Sequence, residues 1–156
     1  MTQVSIAPFT ADRSALMPLL RIADDSCTAI ASYLHLGEIL VASDGRDHVG
    51  HVQLVEAAPG TLELKSLAVV DSHRKTGLGR RLVEAALDLA RARGVARVIL
   101  STATADALLL RFYMRRGFRM THIDRDVFTP ANGYPPDLAV DGIPILDRVW
   151  FDIALS

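Results

Sequence analysis

Leu67-Ala68-Val69-Val70-Asp71-Ser72-His73-Arg74-Lys75-Thr76-Gly77-Leu78-Gly79-Arg80 runs from an apolar strand through a basic loop into a helix. Over residues 78–93, Leu82, Ala85, Ala86, Leu89 and Ala90 share one helical face, with Arg80, Arg81, Glu84, Asp88 and Arg91 largely opposite and Gly94 closing the helix. The first turn of such a helix has unpaired N–H groups and a partial positive charge, so it attracts anions. Gly77 and Gly79 let a ligand approach the backbone, and Arg74, Lys75 and Arg80 add full positive charge at the same point. The chemistry asks for a phosphate or pyrophosphate. Taken alone, the same residues also fit a flexible basic loop ahead of a helix.

Two phosphate-binding motifs are excluded. A Walker loop needs Lys-Ser/Thr after its glycine, and Gly79 is followed by Arg80-Arg81. A dinucleotide-binding turn needs a third glycine at position 82, which is leucine. It also needs an acidic residue ending the next strand, which here ends in Ser101-Thr102.

Outward from this turn the punctuation is regular. Residues 4–9 alternate as a strand, and Thr10 can cap a helix carrying Leu16, Leu19, Leu20 and Ala23. Asp24 to Ser26 can cap a second helix that Gly37 ends. Residues 38–43 and 48–56 flank Asp44-Gly45-Arg46-Asp47 as a hairpin, and residues 62–70 form a third consecutive strand after Pro59-Gly60. Residues 95–100 read as a buried strand, 106–116 as a helix closed by Gly117, 118–124 as a strand, and 148–155 as the last strand after a Pro/Gly/Asp-rich stretch. This order predicts one α/β (α+β) domain over residues 1–156, with a mixed, mostly antiparallel sheet and helices on both faces.

The chain has 156 residues, half of them hydrophobic, and a net charge of −1, so its balance predicts a globular protein with no nucleic-acid or membrane partner. The single cysteine, Cys27, excludes an internal disulfide framework, and neither a signal segment nor a bilayer-length apolar run is present. A cytoplasmic protein is expected. The five histidines show no ligand spacing, and alternation puts His48 and His51 on opposite strand faces, so no metal is expected.

Arg74-Lys75-Thr76-Gly77-Leu78-Gly79 resembles the Arg/Gln-x-x-Gly-x-Gly/Ala cofactor motif of the GCN5-related N-acetyltransferase (GNAT) superfamily. Phe112-Tyr113-Met114-Arg115-Arg116-Gly117-Phe118 resembles that family's aromatic-Tyr-x-x-x-Gly-Phe segment. The resemblance covers roughly residues 38–124. It implies acetyl-CoA as cosubstrate, its pyrophosphate at Arg74, Lys75, Thr76, Gly77, Leu78, Gly79 and Arg80, and its pantetheine arm along Leu67, Ala68 and Val69. It further implies that this strand bulges and parts from the next, with backbone N–H groups near residues 67–69 facing the thioester. Some members have an asparagine where this chain has Asp106, a cofactor contact that Asp106 replaces either in kind or as a helix cap. A homodimer is also implied.

Acetyl transfer needs a neutral amine, a polarised carbonyl and a proton for the departing thiolate. The resemblance assigns the acid to Tyr113, which at an ordinary pKa near ~10 is protonated at neutral pH. Its spacing with Leu109 and Phe112 also fits a core aromatic. Glu63, six residues before Val69, matches a catalytic glutamate of the histone-acetylating members. Alternation would put it on one face with Lys65, Leu67 and Val69. A plain salt-bridged carboxylate is the other use open to it. Between residues 124 and 152 six aspartates stand against Arg125 and Arg148. If this stretch borders the acceptor mouth it would draw a small cationic amine such as a polyamine or amino sugar; otherwise it is a solvated loop. Tyr134 and Trp150 could line the acceptor site or pack a dimer interface. An acyl-CoA sensor of the same fold, and transfer to a protein amine, are the alternatives to a small-molecule enzyme.

Overall fold

The computed structural model describes residues 3–156. The chain builds β1 (Ser5–Pro8), α1 (Met17–Ala23), α2 (Cys27–Tyr33), β2 (Glu38–Ser43), β3 (His48–Ala58), β4 (Thr61–Val69), α3 (Leu78–Ala92), β5 (Arg97–Ala103), α4 (Ala107–Arg115), β6 (Arg119–Asp124), a small hairpin of β7 (Ala139–Val140) and β8 (Ile143–Pro144), and β9 (Arg148–Ala154). Seven strands form one sheet in the order β1-β2-β3-β4-β5-β9-β6. Every pairing in it is antiparallel except β4 with β5. The expected mixed α/β architecture is therefore present, with β9 inserted between β5 and β6.

The sheet separates two apolar layers. One packs Leu78, Leu82, Val83, Ala86, Leu87 and Ala90 of α3 with Tyr113 and Phe118 against Val52, Leu54, Val98 and Phe151. The other packs Leu16, Leu19, Leu20, Ile30 and Tyr33 against Ile39 and Val41. Fully burying such a side chain contributes about 1.5–3 kcal/mol, enough to override weak local preferences. The buried stripe of α3 includes Val83 and Leu87, while Ala85 and Leu89 sit at its margin. The stripe is thus rotated from the one the spacing suggested. Asp12, not Thr10, starts the first helical turn, its carboxylate accepting from the Ser14 N–H at 2.9 Å. Ser26 caps α2 as expected.

Of the four register slips among the described residues of the sheet, two reverse the strand faces that alternation predicts. Between β2 and β3 the slip leaves Val49 as an extra residue. His48, edge-on to the Phe9 ring at 5.5 Å, therefore stands on the same side as His51 rather than opposite it. His51 is fully buried, with Nε2 2.7 Å from the Ser66 hydroxyl. Burial lowers its pKa from 6.5 to about 4. The unfolded chain takes up a proton between those values and the folded chain does not. Stability is therefore full above about pH 6.5 and falls as the pH drops towards 4. Thermal melts should show Tm falling on acidification, less so in His51→Gln; an equally steep fall in the variant would trace the loss to other groups.

The second slip lies in β4. Gln53 pairs with Ser66 and Leu54 with Leu64, so Lys65 is the extra residue of a β-bulge. Beyond it, β4 and β5 part: they pair only over Thr61 to Glu63 and Arg97 to Ile99.

Candidate active site

The gap opened by this parting exposes one edge of β4. The Val70 N–H donates to the Val49 carbonyl at 3.0 Å, so Val70 faces β3. Along a strand these groups alternate in direction, so the N–H groups of Leu67 and Val69 point into the gap. Leu67, Ala68 and Val69, with Ile22, Ala23, Arg74, Gly79, Asp106, Leu108, Leu109 and Phe112, line a groove of about 410 Å³. It continues into a hollow of about 380 Å³ bounded by Val69, His73, Arg74, Lys75, Gly77, Gly79, Arg80, Phe112 and Arg116.

That hollow sits at the start of α3. Lys75 and Gly77 both have left-handed backbone, at φ 62° and 86°. A Cβ built on Gly77 meets nothing within 4 Å, so any side chain there would project into open space. Whereas Ser26 and Asp106 cap α2 and α4, no side chain caps α3. Its first N–H groups therefore remain available, and the Arg81 N–H is the first to close back, onto the Gly77 carbonyl at 3.1 Å. Arg74 is held by Asp71 at 2.7 Å and by the Val69 carbonyl at 3.1 Å; Arg80 pairs with Glu84 at 2.9 Å. Arg116, with its guanidinium 5.4 Å from the Phe112 ring centre, brings a further cation from the end of α4. A donor-rich, cationic hollow joined to an apolar groove with a free strand edge matches a diphosphate followed by a peptide-like arm.

The groove shares Ile22, Ala23, Asp106 and Leu109 with a chamber of about 260 Å³ on its other side. Asp24, Asp25, Lys65, Ser101, Thr102, Phe128, Tyr134 and Arg148 also line that chamber. Both of its cations are neutralised from outside: Lys65 by Glu63 at 3.2 Å and Arg148 by Asp124 at 2.8 Å. Asp24 and Asp25 form no ion pair among the described residues. Burial, and then the Asp24 charge, push the Asp25 carboxyl above its usual pKa. The Tyr134 phenol is pushed up to about 12, first by burial and then by Asp24.

The residues named from sequence are only partly assembled by this geometry. Residues 67–69 with Arg74, Lys75, Gly77, Gly79 and Arg80 line one continuous groove, whereas Leu78 is buried in the core and the Thr76 hydroxyl donates to the His73 carbonyl. Asp106 lies at the junction of groove and chamber while capping α4, its carboxylate accepting from the Leu109 N–H at 3.2 Å. Tyr113 is 6% exposed, against Phe112, Phe118 and Phe151. Burial, then the charge of Asp106, raise its pKa above the ordinary phenol value. Glu63 does not share a face with Leu67 and Val69, because the bulge at Lys65 reverses the alternation. It stands opposite Val55 and lines a separate hollow with Ser32, Tyr33 and Lys65.

The six aspartates of residues 124–152 line neither groove nor chamber. Asp124 accepts from Trp150 Nε1 at 2.8 Å and pairs with Arg148; Asp152 pairs with Arg97 at 3.0 Å. Trp150 stacks on His122, with the Arg148 guanidinium 4.9 Å from its ring centre, and does not itself line the chamber. The chamber's acids come instead from the α1–α2 connection and the α4 cap. Asp24 and Asp25 read as capping residues in sequence, and only the folding of residues 125–147 over them makes them cavity walls. Among the described residues no three His, Cys, Asp or Glu side chains gather to hold a metal, and no helix is long and apolar enough to cross a membrane.

Comparison with known proteins agrees with this geometry. Residues 8–118 match the family described as Acetyltransferase (GNAT) family. The chain is 33% identical over 140 residues to a Bacillus subtilis protein named uncharacterized N-acetyltransferase YvbK, covering 88% of this chain and 89% of that one. Its fold is similar to that of a Bacillus subtilis acetyltransferase in complex with CoA (30% identity, 99% of this chain and 100% of that one, TM-score 0.89). It is also similar to a GNAT family acetyltransferase from Elizabethkingia anophelis with acetyl-CoA bound (27% identity, 97% and 98% covered, TM-score 0.90).

Proposed function

The chain belongs to the acetyltransferase (GNAT) family and is an acetyl-CoA-dependent acetyltransferase, and from that premise we propose that it moves the acetyl group to a primary amine of a small cationic molecule. The observation that carries this reading is the charge of the chamber beside the groove. Its two cations are already paired from outside, and Asp24 and Asp25 are not. A cationic acceptor relieves that uncompensated charge, while a carboxylate-bearing one adds to it. The test is thiol release from acetyl-CoA across a panel of cationic, neutral and anionic amines. The highest kcat/KM is expected for the cationic members, and turnover confined to anionic amino acids would sink the reading.

In the same proposal the chain works as one cytoplasmic domain, in a homodimer, by direct attack. The amine nitrogen bonds to the thioester carbonyl carbon, the N–H groups of Leu67 and Val69 face the oxygen as it gains charge, and the carbon–sulfur bond breaks. Tyr113 gives its proton to the departing thiolate and Glu63, through water, removes one from the nitrogen. Support for Tyr113 is its burial beside Asp106 with a pKa above the ordinary phenol value, which keeps its proton in place. Support for Glu63 is its position as the last β4 residue paired with β5, at the throat where the gap begins. Glu63→Gln is expected to lower kcat roughly 10²-fold or more. A variant with the wild-type kcat would leave proton removal to solvent.

A further inference from the structure

We infer that Asp24 is a specificity-determining residue. It anchors a positive charge of the acceptor distinct from the reacting nitrogen, so the favoured acceptors are diamines and polyamines. The inference rests on the chamber being the acceptor site.

Asp24 is held from both sides. Its Oδ1 accepts from the Ser26 N–H at 3.0 Å, and its Oδ2 accepts from the Tyr33 hydroxyl at 3.0 Å. A turn at the start of α2 requires only the first of these. The second comes from a phenol whose residue is 4% exposed. That ring lies under Lys65 Nζ at 5.2 Å. Groups from α2 and the β4 bulge thus fix the carboxylate. About four lone-pair sites are available on an ionised carboxylate, and two are used. Asp25, Asp106 and Tyr134 share the chamber with it, and Lys65 and Arg148 are occupied by Glu63 and Asp124. No side chain of the chain neutralises Asp24 among the described residues.

Position separates this charge from the reaction. Ile22, Ala23, Asp106 and Leu109 form the junction between groove and chamber, whereas Asp24 and Asp25 border the chamber alone. A carboxylate paired with the reacting nitrogen would hold it as ammonium and prevent attack. One beyond the junction binds a second ammonium and leaves the first free to lose its proton. A diamine fits both needs; a monoamine fits only one.

The experiment compares putrescine with n-butylamine, amines of equal chain length, by thiol release from acetyl-CoA. Wild-type protein is expected to favour putrescine in kcat/KM by about tenfold or more, the usual scale for a charged hydrogen bond. Asp24→Asn is expected to bring that ratio close to one, chiefly through KM for putrescine. Asp24→Glu should restore part of it, and Tyr33→Phe should lower it several-fold. A residue acting only on the fold would slow both amines alike and keep the ratio. That outcome in Asp24→Asn, or a wild-type preference for n-butylamine, overturns the inference. If Asp24→Asn does not fold, an unchanged ratio in Tyr33→Phe overturns it instead. Acetyl-CoA binding by calorimetry without turnover of any amine would overturn the acceptor reading itself, and this inference with it, whereas turnover with an unmoved ratio removes Asp24 alone.

Discussion

Gly77→Asp is expected to weaken acetyl-CoA binding by roughly 10²–10³-fold, about 3–4 kcal/mol. Two causes add. Gly77 has φ 86°, and a non-glycine residue in left-handed backbone costs about 1–2 kcal/mol. The turn would relax towards other shapes, and the fraction able to bind would fall with it. The new carboxylate would also project into the hollow where Arg74, Lys75, Arg80 and the first N–H groups of α3 converge, meeting the diphosphate with like charge. Gly77→Ala isolates the first cause and is expected to cost about 5- to 30-fold. Titration calorimetry with acetyl-CoA, beside a thermal melt to confirm folding, measures both. A Kd for Gly77→Asp within about threefold of wild type would move the diphosphate away from this turn.

Tyr113→Phe is expected to lower kcat by roughly 10²–10⁴-fold with acetyl-CoA affinity nearly intact. Phenylalanine keeps the ring that packs on Phe112, Phe118 and Phe151, at centroid distances of 5.2, 5.9 and 6.1 Å, so the loss reads the hydroxyl and not the fold. The direction of the pKa shift adds a second readout. Because burial raises the phenol above its ordinary value, the proton is retained throughout the neutral and mildly alkaline range. The wild-type rate should not decline at a pH below the ordinary phenol pKa through loss of this proton. Unchanged turnover in the phenylalanine variant would remove Tyr113 from the reaction and leave it a core aromatic.

Much of this site was legible before any coordinates. Glycines at 77 and 79, cations at 74, 75 and 80, an apolar strand before them and an amphipathic helix after them form a local pattern, because a helix start binds anions through its own backbone. The adjacency of β2, β3 and β4 followed from turn chemistry at Asp44 to Asp47 and Pro59-Gly60, and helix boundaries from Ser26, Gly94, Asp106 and Gly117. What misled was alternation. Counting by twos put Glu63 with Leu67 and Val69, and a single unpaired residue, Lys65, reversed it. A bulge of this kind depends on how β3 and β4 register against each other, which no single strand records.

Charge along the chain left two uses open for the six aspartates between residues 124 and 152, an acidic acceptor mouth or a solvated loop; Arg148, Trp150 and Arg97 take up Asp124 and Asp152, and none of the six lines the chamber. Asp24 and Asp25, which looked like helix punctuation, do reach it.

The sequence alone determined most of the elements, the glycine-rich basic turn ahead of α3 and the family, since each is carried by neighbours along the chain and by backbone chemistry within one turn or strand; the β7–β8 hairpin is not among them. The tertiary structure decided where β4 leaves β5, which face Glu63 occupies, and which carboxylates stand uncompensated beside the groove. Those are set by contacts between residues far apart in sequence, such as Arg148 with Asp124 and Lys65 with the Tyr33 ring. Burial and charge balance at such points exist only once the layers have packed.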